Sequence, residues 1–191
     1  MAARVVQVTD EHILEGCLRK DRESQRMLYE KYYDTMSWVC FRYLKDKTLA
    51  EDLVHEGFLK VFRSIDSYEH RGSLEGWMRR IMVNCCLDYL RRQKRFPGEV
   101  DIAQAGMQAV DEDVVAEMQA EFIFELVQEL PPLYRAVFNM NVIEGYPHKD
   151  IAEQLDIKES TSRAYLTEAK KLLRELLVRA GAGTERRLQN G

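Results

Sequence analysis

The sequence lacks the features that mark membrane proteins, secreted proteins and the common enzyme classes. It has no apolar run approaching the roughly 20 residues that span a bilayer, and its N-terminal segment contains no apolar signal-peptide core. It has no glycine-rich phosphate loop, no HExxH motif and no GxSxG motif. We therefore expect a cytoplasmic protein that is not an enzyme, has no catalytic residues and binds no cofactor.

The sequence also lacks the residue spacing typical of metal sites. Its four cysteines form no CxxC pair and no Cys/His pair at ligand spacing, and its four histidines are scattered. We expect no metal site. Cys17, Cys40, Cys85 and Cys86 are expected to be small buried hydrophobes in a reducing compartment, and the alternative is a redox-sensitive thiol.

Charge is distributed unevenly along the 191 residues. The net charge of −4 argues weakly against nonspecific binding of nucleic acid. Residues 79–95 carry +5, residues 98–121 carry −7 and residues 158–187 carry +4. A chain of this length fits one large domain or two small ones, and the alternation of charge favours separate modules.

Apolar residues recur at helical spacing in nearly every segment, and no β-alternating run stands out, so we predict an all-α fold. The predicted helices cover residues 13–19, 24–44, 47 or 48 to 64, 74 to about 93, 121–128, 132–142, 147–155 and 160–178. Ser73 and Ser160 are the expected caps, and Pro147 is expected in a first turn. Phe96-Pro97-Gly98 ends the third long helix, an acidic linker follows, and the tail after Ala180 is expected to be frayed.

The segment 50–63 predicts a helix with one apolar and one acidic face. The apolar face consists of Leu53, Val54, Gly57, Phe58, Val61 and Phe62. The opposite face consists of Glu51, Asp52, His55, Glu56, Leu59 and Lys60. Asp52 and Glu56 repel each other across one turn, so this face does not stabilise the helix. It is either a solvated face or a docking surface for a basic partner.

The segment 68–95 joins a polar loop to a helix with a basic end. The predicted buried stripe consists of Leu74, Trp77, Met78, Ile81, Cys85 and Tyr89. The predicted exposed residues are Arg80, Asn84, Asp88, Arg91, Arg92, Lys94 and Arg95, which offer arginine and lysine to phosphates and asparagine to a base edge. The loop Glu69, His70, Arg71, Gly72 and Ser73 could receive an unstacked base, since Gly72 permits close backbone approach. The alternative is an ordinary charged helix end.

The segment 146–171 predicts a helix-turn-helix, whose second helix enters the major groove in DNA-binding proteins. Ile151, Ala152 and Leu155 face inward, and Ile157 fills the corner. The second helix turns Ser162, Leu166, Ala169 and Leu173 inward. Its outward residues are Arg163, Ala164, Thr167, Glu168, Lys170 and Lys171. The alternative is an αα-hairpin in a plain helical bundle.

These motifs together resemble the extracytoplasmic-function (ECF) type of bacterial RNA polymerase sigma factor, of the sigma-70 family. The resemblance covers residues 20–95 and 120–178 and rests on the segments 50–62, 71–95 and 130–173 in this order and spacing. It implies a region 2 module at residues 1–96, an acidic linker at 97–119, a region 4 module at 120–180 and a tail at 181–191. The linker would thread toward the active-site and RNA-exit channels of the polymerase.

The resemblance also implies three sets of site residues. Those that would bind core RNA polymerase, through the coiled coil of its largest subunit, are Glu51, Asp52, His55, Glu56 and Leu59. Those that would open and read the minus-10 element are Glu69, His70, Arg71, Gly72, Ser73, Arg80, Asn84, Asp88, Arg91, Arg92 and Arg95. Those that would read the duplex minus-35 element are Ser160, Thr161, Arg163, Ala164, Thr167, Glu168, Lys170 and Lys171.

Other partners implied by the resemblance are the polymerase flap, promoter DNA and an anti-sigma factor. The chain departs from the family at Tyr165 and Glu168, where many relatives carry arginine or lysine, so the second helix is less basic. Two alternatives stay open: a helix-turn-helix regulator that binds duplex operators without a sigma role, and a helical adaptor that binds protein only.

Overall fold

A computed structural model describes the backbone of residues 9–92 and 120–189, and the side chains of residues 9–92 and 122–180. Within these ranges all regular structure is helical. The predicted all-α fold is therefore confirmed. The predicted linker at residues 97–119 lies outside the described residues, as do Lys94 and Arg95 of the predicted exposed stripe.

Eight α-helices follow one another in the described ranges. They are α1 (Asp10–Leu18), α2 (Arg22–Tyr43), α3 (Lys47–Ser64), α4 (Leu74–Arg92), α5 (Ala120–Glu129), α6 (Pro132–Phe138), α7 (His148–Leu155) and α8 (Glu159–Gln189). A single 3-10 turn, Ile65–Ser67, follows α3, and a π-helical turn, Asn139–Ile143, continues α6. The chain folds into two compact units, Met1–Cys86 and Leu87–Gly191.

Polar side chains fix the starts of the first four helices. Thr9, Asp21 and Asp46 each accept a hydrogen bond from a backbone N–H three residues ahead. Because of these caps, α1 and α2 begin earlier than the apolar periodicity predicts. Ser73 accepts from the backbone N–H of Gly76 at 3.1 Å, which confirms its predicted capping role.

The core of the first unit is formed where α1 packs on α2 and α2 packs on α3. Leu28, Met36, Cys40, Val54 and Val61 are fully buried there. All four cysteines are free and buried, which confirms their expected place in the core. Burial raises the pKa of the Cys17 thiol to about 11, so it is protonated at neutral pH.

A close contact between helices joins α3 to α4. A Cβ atom at Gly57 would lie 2.1 Å from Sδ of Met82, a side chain with no solvent exposure. The missing side chain at Gly57 therefore provides the space that Met82 fills.

In the second unit, α6 and α7 both pack on α8. Arg135 of α6 is 5% exposed and donates through Nη1 to the backbone and side-chain oxygens of Gln128 at 2.9 and 3.0 Å. It therefore ties α6 to the end of α5. Burial lowers the pKa of this guanidinium, but an arginine side chain still stays charged at neutral pH.

Three predicted helix boundaries are corrected in this unit. Pro147 precedes α7 as its N-cap instead of lying in its first turn, because its fixed φ suits the extended cap position. Ser160 does not cap α8, since the helix already begins at Glu159. The helix also continues to Gln189 instead of giving way to a frayed tail. Glycine at 181 and 183 weakens a helix without interrupting its hydrogen bonds, and good helix formers follow.

We predict that Gly57→Ala destabilises the first unit. Overpacking against Met82 costs about 1–3 kcal/mol, which outweighs a helix-propensity gain of up to about 1 kcal/mol. Urea unfolding followed by tryptophan fluorescence measures this unit specifically, because Trp38 and Trp77 both lie in it.

The double variant Gly57→Ala/Met82→Val is the control, since valine returns about the volume that alanine adds. The double variant should lose less free energy of unfolding than the two single variants lose in sum. A single Gly57→Ala variant more stable than wild type would show that the helices are not in close contact here.

Candidate functional site

The exposed face of α3 is the first candidate surface. Asp52, His55 and Leu59 are exposed, with Leu59 56% exposed despite its apolar side chain. Glu51 and Glu56 are half-buried beside them. The opposite face of the helix is buried through Leu53 to Val61, as the apolar periodicity predicts. Of the six residues predicted on the acidic face, these five thus lie together on one side of α3.

Two tyrosines of α2, which sequence reasoning missed, extend this surface. The hydroxyl of Tyr29 lies 3.1 Å from Nε2 of His55, and its ring centroid lies 4.7 Å from that of Phe58. Tyr33 stacks on the same imidazole with a centroid distance of 6.3 Å. The i,i+4 spacing of the tyrosines signals one helix face, but only the packing of α2 on α3 brings them to His55. We call Tyr29, Tyr33, Asp52, His55 and Leu59 the α2/α3 surface.

The repulsion expected between Asp52 and Glu56 is offset within α3. Lys60 Nζ lies 3.0 Å from the carboxylate of Glu56, one turn away. Partial burial acts to lower the pKa of Lys60, but hydrogen bonds to Glu56 and Cys85 outweigh it and raise this pKa. Lys60 thus stays charged and neutralises Glu56, which leaves Asp52 as the exposed acid of the surface.

The loop between the 3-10 turn and α4 is closed by a tyrosine. The hydroxyl of Tyr68 donates to the carbonyl oxygen of Gly72 at 2.8 Å. Its ring contacts those of His70 and Trp77, with centroid distances of 4.9 and 5.6 Å. Residues 69–73 are all exposed around this ring.

Two residues of this loop have left-handed backbone conformations. Gly72 has φ of 89° and nothing within 4 Å of the position of its missing Cβ, so a ligand can approach its backbone. His70 has φ of 56°, an uncommon conformation for a residue with a side chain. The loop therefore presents exposed backbone and rings in a fixed turn.

The exposed stripe of α4 agrees with its prediction over the described residues, apart from Asp88. Arg80, Asn84, Arg91 and Arg92 are exposed, and Asp88 is half-buried. Arg91 forms an ion pair with Asp88, and Arg92 donates through Nε to the carbonyl oxygen of Asp88 at 3.3 Å. Asp88 thus orients two arginines instead of contributing a free negative charge.

The predicted buried stripe of α4 is partly wrong. Trp77, Ile81 and Tyr89 are only half-buried, whereas Met82 and Val83 are fully buried. The buried sector is wider than one stripe and is rotated toward the side that meets Gly57, because that residue lets α3 approach there. Trp77 and Ile81 consequently flank the exposed residues of α4.

In the second unit, α7 and α8 form the predicted helix-turn-helix. Asp156 ends α7 with φ of 53° and ψ of 49°, and its N–H is bonded to the last turn. This left-handed residue redirects the chain so that α8 starts three residues later. Ile151, Leu155, Leu166 and Ala169 are buried between the helices, as predicted.

The outward face of α8 has the predicted composition. Arg163 and Lys171 are exposed, and Ala164, Thr167, Glu168 and Lys170 are half-exposed. Arg163 forms an exposed ion pair with Glu159 at 2.5 Å, which contributes little stability and leaves the guanidinium available. Ser160 is exposed and Thr161 half-exposed at the start of the helix.

Tyr165 belongs to the core and not to this outward face. It is 1% exposed, and its ring centroid lies 5.2 Å from that of Tyr134 on α6. Because Tyr165 is buried, the lack of a basic residue at this position does not change the outward face of α8. Of the two positions that depart from the family pattern, Glu168 therefore remains on that face. Burial, together with the charge of Glu168, raises the pKa of Tyr134.

A hydrogen bond that sequence reasoning missed joins the two helices of the motif. Nδ1 of His148, at the start of α7, lies 2.9 Å from Oγ of Ser162, which is fully buried in α8. Burial and the positive charges of Arg163 and Lys170 lower the pKa of His148, against an opposing effect of Glu159. The inward position of Ser162 was predicted, but its partner was not, because fourteen residues separate the pair.

Two protein-family models match the chain. The model of sigma-70 region 2 matches residues 28–96, and the model of sigma-70 region 4 matches residues 123–173. Together these two models of one family span more than half of the chain.

Curated relatives are ECF sigma factors. The chain is 25% identical over 179 residues to an ECF RNA polymerase sigma-E factor of Haemophilus influenzae. The matched residues make up 87% of this chain and 94% of that protein. It is 30% identical over 167 residues to the ECF RNA polymerase sigma factor SigE of Mycolicibacterium smegmatis. That match covers 82% of this chain and 63% of the relative.

One solved structure with a similar fold is the sigma factor RpoE of Bartonella quintana, crystallised with the anti-sigma factor NepR. The TM-score is 0.50 at 18% identity, over 80% of this chain and 95% of that one. At this identity the likeness is one of fold alone.

Helices that bury one face and expose basic and polar residues, with a helix-turn-helix in the second unit, are typical of helical DNA-binding proteins. With the family matches, the chain belongs to the sigma-70 family, in its ECF group. Members of this family are non-enzymatic initiation factors that bind core RNA polymerase, direct it to promoters and promote DNA melting.

The described residues contain neither a membrane-spanning helix nor a cluster of metal ligands. Over residues 9–92 and 120–189, the helices are too short or too polar to cross a membrane. In the same parts of the chain, no group of three or more histidine, cysteine, aspartate or glutamate side chains is arranged to hold a metal ion.

We predict that His148 titrates below the usual histidine pKa of about 6.5. Its pKa is lowered on folding, so the unfolded chain binds more protons below about pH 6.5 and the second unit loses stability as the pH falls through that range. NMR titration of the histidine Cε1–H signals measures the pKa, and His148→Asn identifies the signal by its loss.

The same variant serves as a control for stability. His148→Asn should reduce the pH dependence of the amide-exchange protection of α7 and α8. An unchanged pH dependence, or a His148 pKa above 6.5, would contradict the burial of this ring.

Proposed function

We propose that the three exposed surfaces divide the work of promoter recognition between them. The α2/α3 surface, with Glu51 and Glu56, binds the coiled coil of the largest polymerase subunit. The loop at 69–73 and the exposed stripe of α4 open and read the minus-10 element. The outward face of α8 reads the minus-35 duplex. The observation that carries this proposal is the exposed stripe of α4, in which Asn84 lies between Arg80 and Arg91 on the helix that follows the aromatic loop.

The physical chemistry of each surface suits its proposed ligand. Asp52 beside the exposed Leu59 offers a charge and an apolar contact to a basic helical partner. The exposed ring of His70 and the half-exposed rings of Tyr68 and Trp77 can stack on an unstacked base, and Gly72 allows close approach of the backbone. Arg163 and Lys171 suit phosphates, while Thr167 and Glu168 can meet base edges, glutamate through a cytosine amino group.

The domain boundaries and the other partners belong to the same proposal. Residues 1–96 would act as region 2, 97–119 as a linker in the polymerase channels, 120–180 as region 4, which contacts the flap, and 181–191 as a tail. An anti-sigma factor, as crystallised with the Bartonella protein, would cover these surfaces when the protein is inactive. We further propose that the chain works in the cytoplasm and has no enzymatic activity of its own.

A duplex regulator without a sigma role is the second candidate, because the helix-turn-helix by itself suits it. Such a regulator would bind its operator without the α2/α3 surface and without Asn84. Run-off transcription with purified core polymerase and a library of genomic promoter fragments separates the two. Discrete starts that share two upstream elements support the sigma role, and their absence with folded, inhibitor-free protein contradicts it.

We predict that Asp52→Lys lowers affinity for core polymerase at least about tenfold, because it places like charges opposite each other across the interface. Titration of labelled chain with core polymerase measures the affinity. Glu15→Lys is the matched control, since it makes the same charge change on the exposed side of α1. Equal effects of the two variants would assign the loss to net charge and refute a specific surface.

We predict that Asn84→Ala and Arg163→Ala impair different steps. Asn84→Ala should reduce open-complex formation about three- to tenfold with unchanged core affinity, as expected for the loss of one hydrogen bond to a base. Arg163→Ala should weaken promoter binding and lower its salt slope by about one.

Arg179→Ala is the control for the second variant, because Arg179 is exposed on α8 beyond the family match. Permanganate footprinting reports opening, and filter binding over a salt series reports affinity. If Arg179→Ala changed the salt slope as much as Arg163→Ala does, the outward face of α8 would not be the contact.

A further inference from the structure

The hydrogen bond between His148 and Ser162 determines which ring nitrogen faces solvent. Ser162 Oγ is fully buried, and its hydroxyl needs an acceptor, since a buried O–H without one costs about 1–3 kcal/mol. Nδ1 of His148, 2.9 Å away, is the acceptor in contact with it. An imidazole that accepts at Nδ1 carries its proton at Nε2, so the half-exposed side of the ring presents an N–H donor.

The surroundings of the ring suit an anion. Arg163 and Lys170 of α8 act on it electrostatically, and Glu159 opposes them. Lys149 and Asp150 follow it in α7 and are exposed. Pro147 supplies no side-chain cap, so the first N–H groups of α7 have no side-chain acceptor from the N-cap. A donor, uncapped N–H groups and neighbouring cations thus meet at the edge of the outward face of α8.

We propose that His148 donates Nε2–H to a backbone phosphate at the edge of the minus-35 duplex, and that Ser162 holds the ring in the tautomer and orientation for this contact. The proposal rests on the proposed role of α8 in minus-35 binding, and adds to it a contact from α7. The lowered pKa of His148 is consistent with a neutral donor. A neutral donor positions the duplex without releasing a further counterion.

Two amide variants separate the two ring nitrogens. His148→Asn places its amide near the Nδ1 position, so it keeps the contact with Ser162 and loses the outer donor. His148→Gln reaches the Nε2 position with an amide N–H, so it keeps a donor to phosphate. We expect His148→Asn to weaken promoter binding by the holoenzyme about ten- to a hundredfold, the loss for one hydrogen bond to a charged group, with an unchanged salt slope. His148→Gln should stay within about twofold of wild type.

The experiment uses the chain bound to core polymerase and a promoter fragment recovered from the run-off library. Each phosphate of the minus-35 duplex is replaced in turn by an uncharged methylphosphonate. One replacement should weaken binding by wild type and by His148→Gln but not further weaken binding by His148→Asn. Ser162→Ala should weaken wild type and have no further effect in the His148→Asn background.

The outcomes are distinguishable. Wild-type affinity of His148→Asn, or equal losses in the Asn and Gln variants with a lowered melting temperature, would overturn the phosphate contact. If Arg163→Ala also left binding unchanged, the proposed minus-35 role of α8 would fail as well. If Arg163→Ala weakened promoter binding and the His148 variants did not, the minus-35 role of α8 would stand and only the role of His148 would be refuted.

Discussion

The first unit depends on the close contact of α3 and α4 at Gly57. A Cβ at this position would lie 2.1 Å from Sδ of Met82, so the absence of a side chain sets the distance between the helices. Met82, Val83 and Cys86 are buried as a result, and Asn84 is turned to solvent. The same contact leaves the opposite face of α3 exposed. One packing constraint thus fixes the polymerase-facing and DNA-facing residues that we propose for this unit.

The second unit is organised by backbone geometry and buried polar contacts. The left-handed conformation of Asp156 sets the turn between α7 and α8. Arg135 links α6 to α5 through two hydrogen bonds to Gln128, and His148 links α7 to α8 through Ser162. Buried polar groups without partners are costly, so such contacts favour one arrangement of the helices. They hold the outward face of α8 in register with the start of α7.

Charge in this protein acts locally. The net charge is −4, yet exposed arginines line α4, and Arg163 is exposed near the start of α8. Asp88 and Glu159 pair with Arg91 and Arg163 and orient them without burying them. Exposed pairs of this kind contribute little to stability, so their residue types are better explained by what they contact. From this charge distribution we expect the isolated chain to bind DNA weakly, as suits a factor that acts as part of a larger assembly.

The sequence by itself determined the all-α class, most helix positions, the helix-turn-helix and the exposed stripes of α3, α4 and α8, because 3.6-residue periodicity and capping residues are local signals. Tertiary structure alone decided that Tyr29 and Tyr33 join His55, that Tyr165 is core, and that Trp77 and Ile81 flank the exposed stripe of α4. It also paired His148 with Ser162. These depend on distances between helices remote in sequence, which periodicity within one helix does not encode.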